Sequence, residues 1–194
     1  MTLANAEQPR RSARDLYADL LIRTLANTIY RDHSADPWNG NKAFDEGIRA
    51  QGRDWPSVAH TMVGLRRLEN LRDLVQHALD ENIPGDLIET GVWRGGCCIL
   101  MRGILAANGD RTRKVYVADS FEGLPPPMRP EDTGDRHHTF TQLVVSESEV
   151  RANFEKYGLL DDQVVFVKGF YADTLHNLNA DALAVLRLDC CMYD

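Results

Sequence analysis

Residues 84–96, with the sequence PGDLIETGVWRGG, constrain the fold of this chain more than any other stretch. A Pro-Gly turn leads into a short apolar run that ends at Glu89, and glycines at 91, 95 and 96 then precede the apolar residues 97–101. This order predicts a buried strand, a tight turn and the start of a helix. Glycine lets the backbone approach a ligand closely, and open α/β sheets bind ligands at the carboxyl ends of their strands. We therefore expect a ligand site at this turn.

Apolar runs and helical patterns alternate after this turn. The pattern predicts helices over 96–108 and 147–157, a short helix near 173–178, and strands over 114–120, 164–169 and 184–189. Alternation of this kind predicts a parallel sheet with right-handed crossovers. A proline-rich loop (121–130) and a charged loop (131–141) separate the second strand from the next helix. The sequence stops at Asp194, soon after the fourth strand, so we expect a truncated sheet with an exposed apolar edge.

The first 82 residues have a different pattern. Apolar residues at spacings of three and four predict amphipathic helices over 15–29 and 57–82. We expect the apolar stripe of the second helix to pack in the core, with a partner-binding face as the alternative. The glycine- and proline-containing stretch 31–56 between them predicts a long loop or lid, with room for a short helix over 42–51. We therefore divide the chain into an N-terminal helical lid or extension, 1–82, and a sheet domain, 83–194.

Composition excludes some classes of function. The chain has 194 residues and a net charge of −7, which argues against nucleic acid as the main partner. It has no apolar run of about 18 residues and no signal-peptide pattern, so we expect a cytoplasmic protein without a membrane span. Its four cysteines form two adjacent pairs, and we expect buried, reduced thiols in preference to a disulfide or a metal site: Cys97, Cys98, Cys190 and Cys191.

Acidic residues end three of the four predicted strands. They are Glu89, Asp119 and Asp189. Asp119 lies one βαβ unit beyond Glu89, a spacing that suits hydrogen bonds to ribose hydroxyls. An acid just before the glycine turn favours a cationic ligand such as the sulfonium amino acid of S-adenosylmethionine over a pyrophosphate. Two alternatives stay open at this point, namely that Glu89 is a capping or surface acid and that the chain is a dinucleotide-dependent dehydrogenase.

Long blocks of the chain carry a family resemblance. They span 16–30, 52–71, 83–96, 117–127, 134–140, 157–164 and 183–189, and include IPGDLIETGVWRGG, VADSFEGLPPP and LAVLRLD. In these blocks the chain resembles the macrocin and mycinamicin O-methyltransferases, which use S-adenosylmethionine to methylate sugar hydroxyls of macrolides and related antibiotics. The resemblance implies a Rossmann-like class I methyltransferase fold. It also implies a glycosylated natural product as the small-molecule substrate.

The resemblance also implies roles for individual residues at the cofactor. Glu89 and the Gly91 turn would hold the methionine end of S-adenosylmethionine, and Asp119 and Ser120 would hold its ribose hydroxyls. The adenine would pack against the residues after the third strand, Gly169, Phe170 and Tyr171. Two further residues would close over the cofactor from the N-terminal segment, Thr61 and Met62. From the sequence alone, Thr61 is equally an ordinary residue at a helix start, and Met62 an ordinary core residue.

The acceptor half of the site departs from the family pattern. The resemblance implies a magnesium ion, and Asp189 matches the first aspartate of the family's D-G-D motif, a metal ligand. The second aspartate, the position of the general base, is Cys191 here, and the later aspartate pair is absent from the sequence. A catalytically silent cofactor-binding or scaffold protein is therefore the alternative function. His137 and His138 are expected in a substrate-contacting loop, with a metal site or a solvated loop as alternatives. The helix predicted over 15–29 is a candidate homo-oligomer contact.

Overall fold

The computed structural model describes residues 11–38, 40 and 42–190. Its helices are α1 (Ala13–Leu25), α2 (Glu46–Gln51), α3 (Leu65–Asp80), α4 (Gly96–Ala107), α5 (Glu147–Lys156) and α6 (Tyr171–Thr174). Its strands are β1 (Asp86–Thr90), β2 (Val115–Asp119), β3 (Val164–Lys168) and β4 (Leu183–Leu188). Short 3-10 turns occur at Pro130–Asp132, His137–Thr139, Thr141–Leu143 and Leu175–Asn177. Among the described residues, no helix is long and apolar enough to span a membrane.

The four strands form one parallel sheet in the order β3-β2-β1-β4. The chain builds outward from β1 to β3 on one side and then returns to place β4 on the other side of β1. This reversal creates a topological switch point at β1, where ligands bind in open α/β sheets. The arrangement confirms the predicted Rossmann-like fold. In the described part β4 is an edge strand, and Leu186 and Leu188 on it are more than half exposed.

The core lies between the sheet and helices α1, α3 and α4. All residues from Gly96 to Leu105 are buried, because α4 is apolar on every side and is covered by the sheet, α1 and α3. Ser12 and Asp15 form a capping box that fixes the start of α1. The N-terminal helices share one apolar cluster with β1, β2 and α4. The division into a lid, 1–82, and a sheet domain, 83–194, stays a prediction.

The predicted helix over 57–82 is wrong in its first eight residues. Helix α3 begins at Leu65, because Gly64 adopts φ +82° directly before it, and residues 57–63 are irregular. Thr61 and Met62 therefore lie on a loop. The first helix ends at Leu25, four residues early, and Asn27 follows it with φ +49°.

Some predicted burials are also wrong. Leu74 on α3, which its spacing placed in the core stripe, is about half exposed. Leu16 and Leu20 on α1 are about half exposed as well, so the apolar stripe of that helix is only partly covered. Cys97 and Cys98 are buried free thiols, as expected, whereas Cys190 is an exposed free thiol on the edge of the sheet. Cys191 lies outside the described residues.

A buried arginine organises the segment between α1 and α3. The Arg49 side chain is 1% exposed and its Nε donates to both carboxylate oxygens of Asp54, at 3.0 and 2.8 Å. Its Nη1 donates to Asp32 Oδ1 at 2.8 Å and to the carbonyl oxygen of Ala26 at 2.7 Å. Asp32 Oδ2 in turn accepts the backbone N–H of Ala59 at 3.1 Å. This network, rather than regular secondary structure, fixes the path of residues 26–59.

Candidate active site

A cavity of about 830 Å³ opens at the carboxyl edge of the sheet. Segments that follow all four strands contribute to its wall, as the switch point at β1 requires. Nine residues predicted to bind a cofactor line it: Thr61, Met62, Glu89, Gly91, Asp119, Ser120, Gly169, Phe170 and Tyr171. Asp189, predicted as a metal ligand, lines it as well.

The floor of the cavity at β1 needs glycine. Gly91 has φ +80°, and a Cβ there would lie 2.4 Å from the carbonyl oxygen of Asp189. The Gly91 N–H donates to the carbonyl oxygen of Ala118 at 3.0 Å, so the turn cannot move away. Gly96 is equally confined, since a Cβ there would lie 2.5 Å from the carbonyl oxygen of His60. The turn is thus packed closely against the backbone of Asp189 and His60, and Gly91 also lines the cavity. We call this turn the Gly91 cradle.

Glu89 is a buried acid with a charged partner. Its side chain is 2% exposed, Arg187 Nη1 donates to its Oε1 at 2.5 Å, and the Cys98 thiol donates to its Oε2 at 3.1 Å. Burial raises the pKa of Glu89 to about 7, and the Arg187 guanidinium opposes that rise. Parallel pairing of β1 with β4 sets Arg187 directly beside Glu89. The acid is therefore held in one position at the wall of the cavity, and its role in binding a cofactor stays a prediction.

Asp119 joins the ends of β1 and β2. Its Oδ2 accepts the N–H of Val92 at 2.8 Å, and its Oδ1 accepts the N–H of Phe121 at 2.9 Å. Each carboxylate oxygen can accept a second hydrogen bond, so the group retains the capacity to bind two adjacent hydroxyls. The neighbouring Ser120 hydroxyl donates to the carbonyl oxygen of Gly123 at 2.9 Å, which closes the turn after β2. The role of Asp119 and Ser120 in holding a ribose stays a prediction.

The end of β3 supplies a flat, partly apolar wall. Gly169 has φ +141° and donates its N–H to the carbonyl oxygen of Asp119 at 2.9 Å. Phe170, 45% exposed, and Tyr171 follow it at the start of α6. An aromatic residue next to a glycine turn suits a planar aromatic ring of a ligand, such as adenine.

The irregular segment 57–63 covers the start of α4. The His60 N–H donates to the carbonyl oxygen of Leu25, and the His60 carbonyl oxygen accepts the N–H of Gly96 at 3.0 Å. The His60 ring lies 2.8 Å, Nδ1 to Oη, from Tyr157. Burial, with the charges of Lys156 and Arg94, lowers the pKa of His60 to about 4. These bonds place Thr61 and Met62 over the cavity.

The connection between β2 and α5, residues 120–146, forms the remaining wall, which is mostly apolar. It contributes Leu124, Pro125, Met128 and Leu143. His137 and His138 belong to the same connection but do not line the cavity. The His137 ring lies among the rings of Trp38, Trp55 and Phe140. A substrate-contacting role for the two histidines stays a prediction.

The described residues do not fit a magnesium ion. Asp189 Oδ2 accepts a hydrogen bond from Arg187 Nη2 at 3.0 Å, so one oxygen of this carboxylate is already occupied by a cation that Glu89 shares. The next residue, Cys190, is a thiol, which is a poor ligand for a hard cation. Within the described part of the chain, no three His, Cys, Asp or Glu side chains group to hold a metal. Magnesium needs several oxygen ligands in near-octahedral geometry, and one paired carboxylate does not provide them.

Sequence reasoning missed the residues of the apolar wall, and it also missed Trp93 and Arg187. Trp93 lines the cavity from the β1 turn, and Arg187 binds two of the three strand-end acids. Arg187 carried a detectable signal, because a basic residue two positions before Asp189 projects from the same face of β4. No comparable signal marks Trp93, since its role depends on its backbone conformation.

Comparison with known proteins places the chain in a family. The profile of the Macrocin-O-methyltransferase (TylF) family matches residues 13–194. Demethyldecarbamoylnovobiocin O-methyltransferase of Streptomyces niveus is 50% identical over 185 residues, which are 92% of this chain and 71% of that protein. Mycinamicin III 3''-O-methyltransferase of Micromonospora griseorubida is 48% identical over 183 residues, 90% of this chain and 72% of that protein.

A third relative is the 8-demethyl-8-(2,3-dimethoxy-alpha-L-rhamnosyl)-tetracenomycin-C 4'-O-methyltransferase of Streptomyces olivaceus. It is 51% identical over 186 residues, 94% of this chain and 71% of that protein. The solved structure of the O-methyltransferase NovP superimposes with a TM-score of 0.84 at 50% identity, over 91% of this chain and 72% of that one. A calicheamicin methyltransferase shares the fold alone. Its structure superimposes with a TM-score of 0.50 at 17% identity, over 93% of this chain and 68% of that one. With a profile match across residues 13–194 and relatives about half identical, the chain belongs to the macrocin O-methyltransferase family.

Proposed function

We propose that this chain transfers the methyl group of S-adenosylmethionine to a sugar hydroxyl of a glycosylated natural product, in antibiotic biosynthesis. The observation that carries the proposal is the convergence of all nine predicted cofactor residues on one cavity at the switch point of the sheet. The family supports the reaction, since each of the three relatives is named as an O-methyltransferase. The name of one of them specifies a rhamnosyl substrate.

The cavity has the groups that this cofactor needs. S-adenosylmethionine, when bound, supplies an electrophilic methyl group on a cationic sulfur. Glu89 would accept hydrogen bonds from the ammonium of its methionine end, and Asp119 would accept them from the two ribose hydroxyls. Phe170 and Tyr171 would pack against the adenine. The Gly91 cradle permits the close approach that these contacts need.

The residues of the 120–146 connection have a different task. Leu124, Met128 and Leu143 line the cavity on this side, and they would exclude water from the space beside the Gly91 turn once an acceptor packs against them. An apolar wall suits an acceptor that carries a large apolar aglycone, and it strengthens the electrostatic contacts inside the cavity. Orientation of the acceptor oxygen in line with the methyl–sulfur bond is the main contribution that such a wall can make to rate.

Magnesium is assigned no step in this proposal. The family resemblance implies the ion, but the described residues offer it one carboxylate, Asp189, which Arg187 already binds. A comparison of methyl transfer in EDTA with transfer in added magnesium chloride tests the dependence directly. Loss of turnover in EDTA, restored by magnesium, would support the metal dependence that the resemblance implies.

The test of the cofactor site is a single substitution with a matched control. Asp119→Asn should weaken binding of S-adenosylhomocysteine by about tenfold or more, because charge-assisted hydrogen bonds to two hydroxyls become neutral ones. Asp162→Asn is the control, since this exposed acid lies before β3, at the opposite edge of the sheet. Isothermal titration calorimetry measures both. Equal affinity in the two variants would remove Asp119 from the cofactor site.

A second candidate function is a silent cofactor-binding protein. The pairing of Asp189 with Arg187, and the thiol at Cys190, favour it. The two candidates separate in one assay, in which the protein is given S-adenosylmethionine and demethyldecarbamoylnovobiocin and the product is analysed by mass spectrometry. Cofactor binding without methylation of this or the other relatives' substrates would support the silent protein. An absence of cofactor binding would eliminate both.

A further inference from the structure

Trp93 has a backbone conformation that its side chain disfavours. It lies in the β1 turn with φ +48°, between Gly91 at +80° and Gly95 at +84°. Glycine adopts this left-handed region freely, whereas for a bulky residue it is an outlier that persists only when surrounding contacts enforce it. The turn therefore contains a strained residue at a position where glycine would relieve the strain. Strain of this kind concentrates at functional sites.

The contacts of the Trp93 ring explain what holds it there. Its Nε1 donates to the carbonyl oxygen of Gln142 at 2.8 Å. The Arg94 guanidinium carbon lies 4.1 Å from the ring centroid. Arg94 Nη1 in turn donates to the carbonyl oxygens of Pro56, at 3.1 Å, and Ala59, at 2.9 Å. The ring thus connects the β1 turn with the 120–146 connection, while Arg94 ties the same turn to the N-terminal segment.

The other side of the turn touches the proposed ribose site. Val92, the residue before Trp93, donates its N–H to Asp119 Oδ2. A ligand that binds Asp119 therefore acts on a carboxylate that already holds the turn. Trp93 is the next residue, and its ring reaches Gln142, beside the cavity-lining Leu143. A short path of direct contacts leads from the proposed cofactor acid to the proposed acceptor wall.

We propose that Trp93 is a positioning residue that couples cofactor binding to the order of the 120–146 connection. With the cofactor on Asp119, the turn is fixed, the ring is fixed with it, and the Nε1 bond holds Gln142 and Leu143 against the acceptor. The inference deepens the proposed function and rests on it for the identity of the ligand. The bond between Trp93 and Gln142 exists without ligand and can be tested by itself.

The experiment uses two variants, one that removes the hydrogen bond from Trp93 Nε1 to the Gln142 carbonyl oxygen and one that changes the Gln142 side chain but keeps this bond. Trp93→Phe keeps an aromatic ring and removes the N–H donor. Gln142→Ala is the matched control, because the acceptor is the backbone carbonyl and the exposed Gln142 side chain is not part of the bond. Hydrogen exchange, followed by mass spectrometry on peptides covering 137–146, reports the order of the connection. Trp93→Gly, which relieves the backbone strain, serves where Trp93→Phe folds poorly.

The first expected result concerns the ligand-free protein. Exchange over 137–146 should accelerate about three- to tenfold in Trp93→Phe, the range for loss of one neutral hydrogen bond, and stay unchanged in Gln142→Ala. Trp93→Gly should accelerate it at least as much. Equal exchange in wild type and Trp93→Phe, or equal acceleration in Gln142→Ala, would overturn the inference.

The second result concerns the coupling and uses S-adenosylhomocysteine as the ligand. Saturating ligand should slow exchange over 137–146 in the wild type and have little effect there in Trp93→Phe, and the affinity of Trp93→Phe for the ligand should fall by about the factor of protection that is lost, because coupling between two sites is reciprocal. A loss of affinity in Trp93→Phe with undiminished protection of 137–146 would overturn the coupling, because Trp93 would then act on the turn alone. Failure of the wild type to bind this ligand would sink the proposed function, yet the ligand-free comparison would still decide whether Trp93 orders the connection.

Discussion

The two halves of the cavity are built in different ways. The half proposed to bind the cofactor lies mainly at the carboxyl ends of β1, β2 and β3 and directly after them. Backbone bonds link its neighbouring turns, such as the Gly91 N–H to the Ala118 carbonyl and the Gly169 N–H to the Asp119 carbonyl. The acceptor half is the 120–146 connection, which contains only short 3-10 turns and is held by side chains. The sheet therefore positions the first half, and long-range side-chain contacts position the second.

This difference has a consequence for stability. Strand ends that share backbone hydrogen bonds move only when the sheet itself opens, whereas a connection held by side-chain contacts can open locally. The cofactor half is therefore preorganised, and the acceptor half is the part that a ligand can order. Substitutions that disturb one half and spare the other test this contrast.

Gly91→Ala should have the largest effect on ligand binding, because it changes the proposed cofactor half directly. A Cβ at Gly91 would lie 2.4 Å from the carbonyl oxygen of Asp189, and φ +80° disfavours any other residue. Overpacking against a backbone that cannot retreat should weaken S-adenosylhomocysteine binding on the order of 100-fold. Calorimetric titration measures the loss.

Gly109→Ala is the control for the cost of placing alanine at a positive φ without a steric clash. Gly109 also has positive φ, +71°, but no atom lies within 4 Å of the position of its Cβ. It should lower the free energy of unfolding by about 1–2 kcal/mol, the penalty of a left-handed alanine, and leave ligand affinity unchanged. Equal affinities in Gly91→Ala and Gly109→Ala would show that the cradle is not part of the site.

The same contrast explains which parts of the site could be predicted from the sequence. Glu89, Asp119 and Asp189 were recognisable because each ends a short apolar run, and parallel strands bring their carboxyl ends to one edge. Strand-helix alternation predicted the sheet, and the glycines at 91, 95 and 96 predicted the turn. These signals are local, so a single sequence contains them.

The errors concern features that depend on tertiary contacts. The apolar spacing of 57–82 suggested a continuous helix, but Gly64 adopts φ +82° and residues before it bond to α1 and α4 instead. Trp93 has no propensity that predicts a left-handed conformation. The Arg187–Glu89 pair depends on the register of β1 against β4, which the sequence does not specify by itself. Leu16 and Leu20 follow a helical stripe and are nevertheless exposed.

Arg49→Met tests whether side-chain contacts hold residues 26–59 in place, as they hold the 120–146 connection. Removal of the guanidinium leaves Asp32 and Asp54 buried without their cation, and breaking a buried pair in this way costs about 3–5 kcal/mol. Urea denaturation should show that loss. Hydrogen exchange should accelerate over 26–59 more than over β2, because the network lies outside the sheet.

Arg53→Met is the matched control, since Arg53 is an exposed arginine of the same segment. It should change the free energy of unfolding by less than about 0.5 kcal/mol. Adding Asp54→Asn to Arg49→Met should recover part of the stability by removing one unpaired charge. A loss in Arg53→Met as large as that in Arg49→Met would show that the buried network does not hold the segment.

The smallest expected effect is a pH dependence at the junction between the N-terminal segment and α4. The pKa of His60 falls from 6.5 to about 4, mainly through burial, so between these values the unfolded chain binds a proton that the folded chain excludes. The free energy of unfolding should therefore decrease as pH falls from 6.5 towards 4, by at most about 1.4 kcal/mol per pH unit. His60→Gln should reduce this slope, because glutamine does not titrate while its amide can still bond to Tyr157. Denaturation at several pH values measures the difference between the two proteins, which cancels the contributions of the other acids. Parallel profiles would mean that the His60 ring takes up its proton without leaving its place beside Tyr157, and that this residue does not make the junction sensitive to acid.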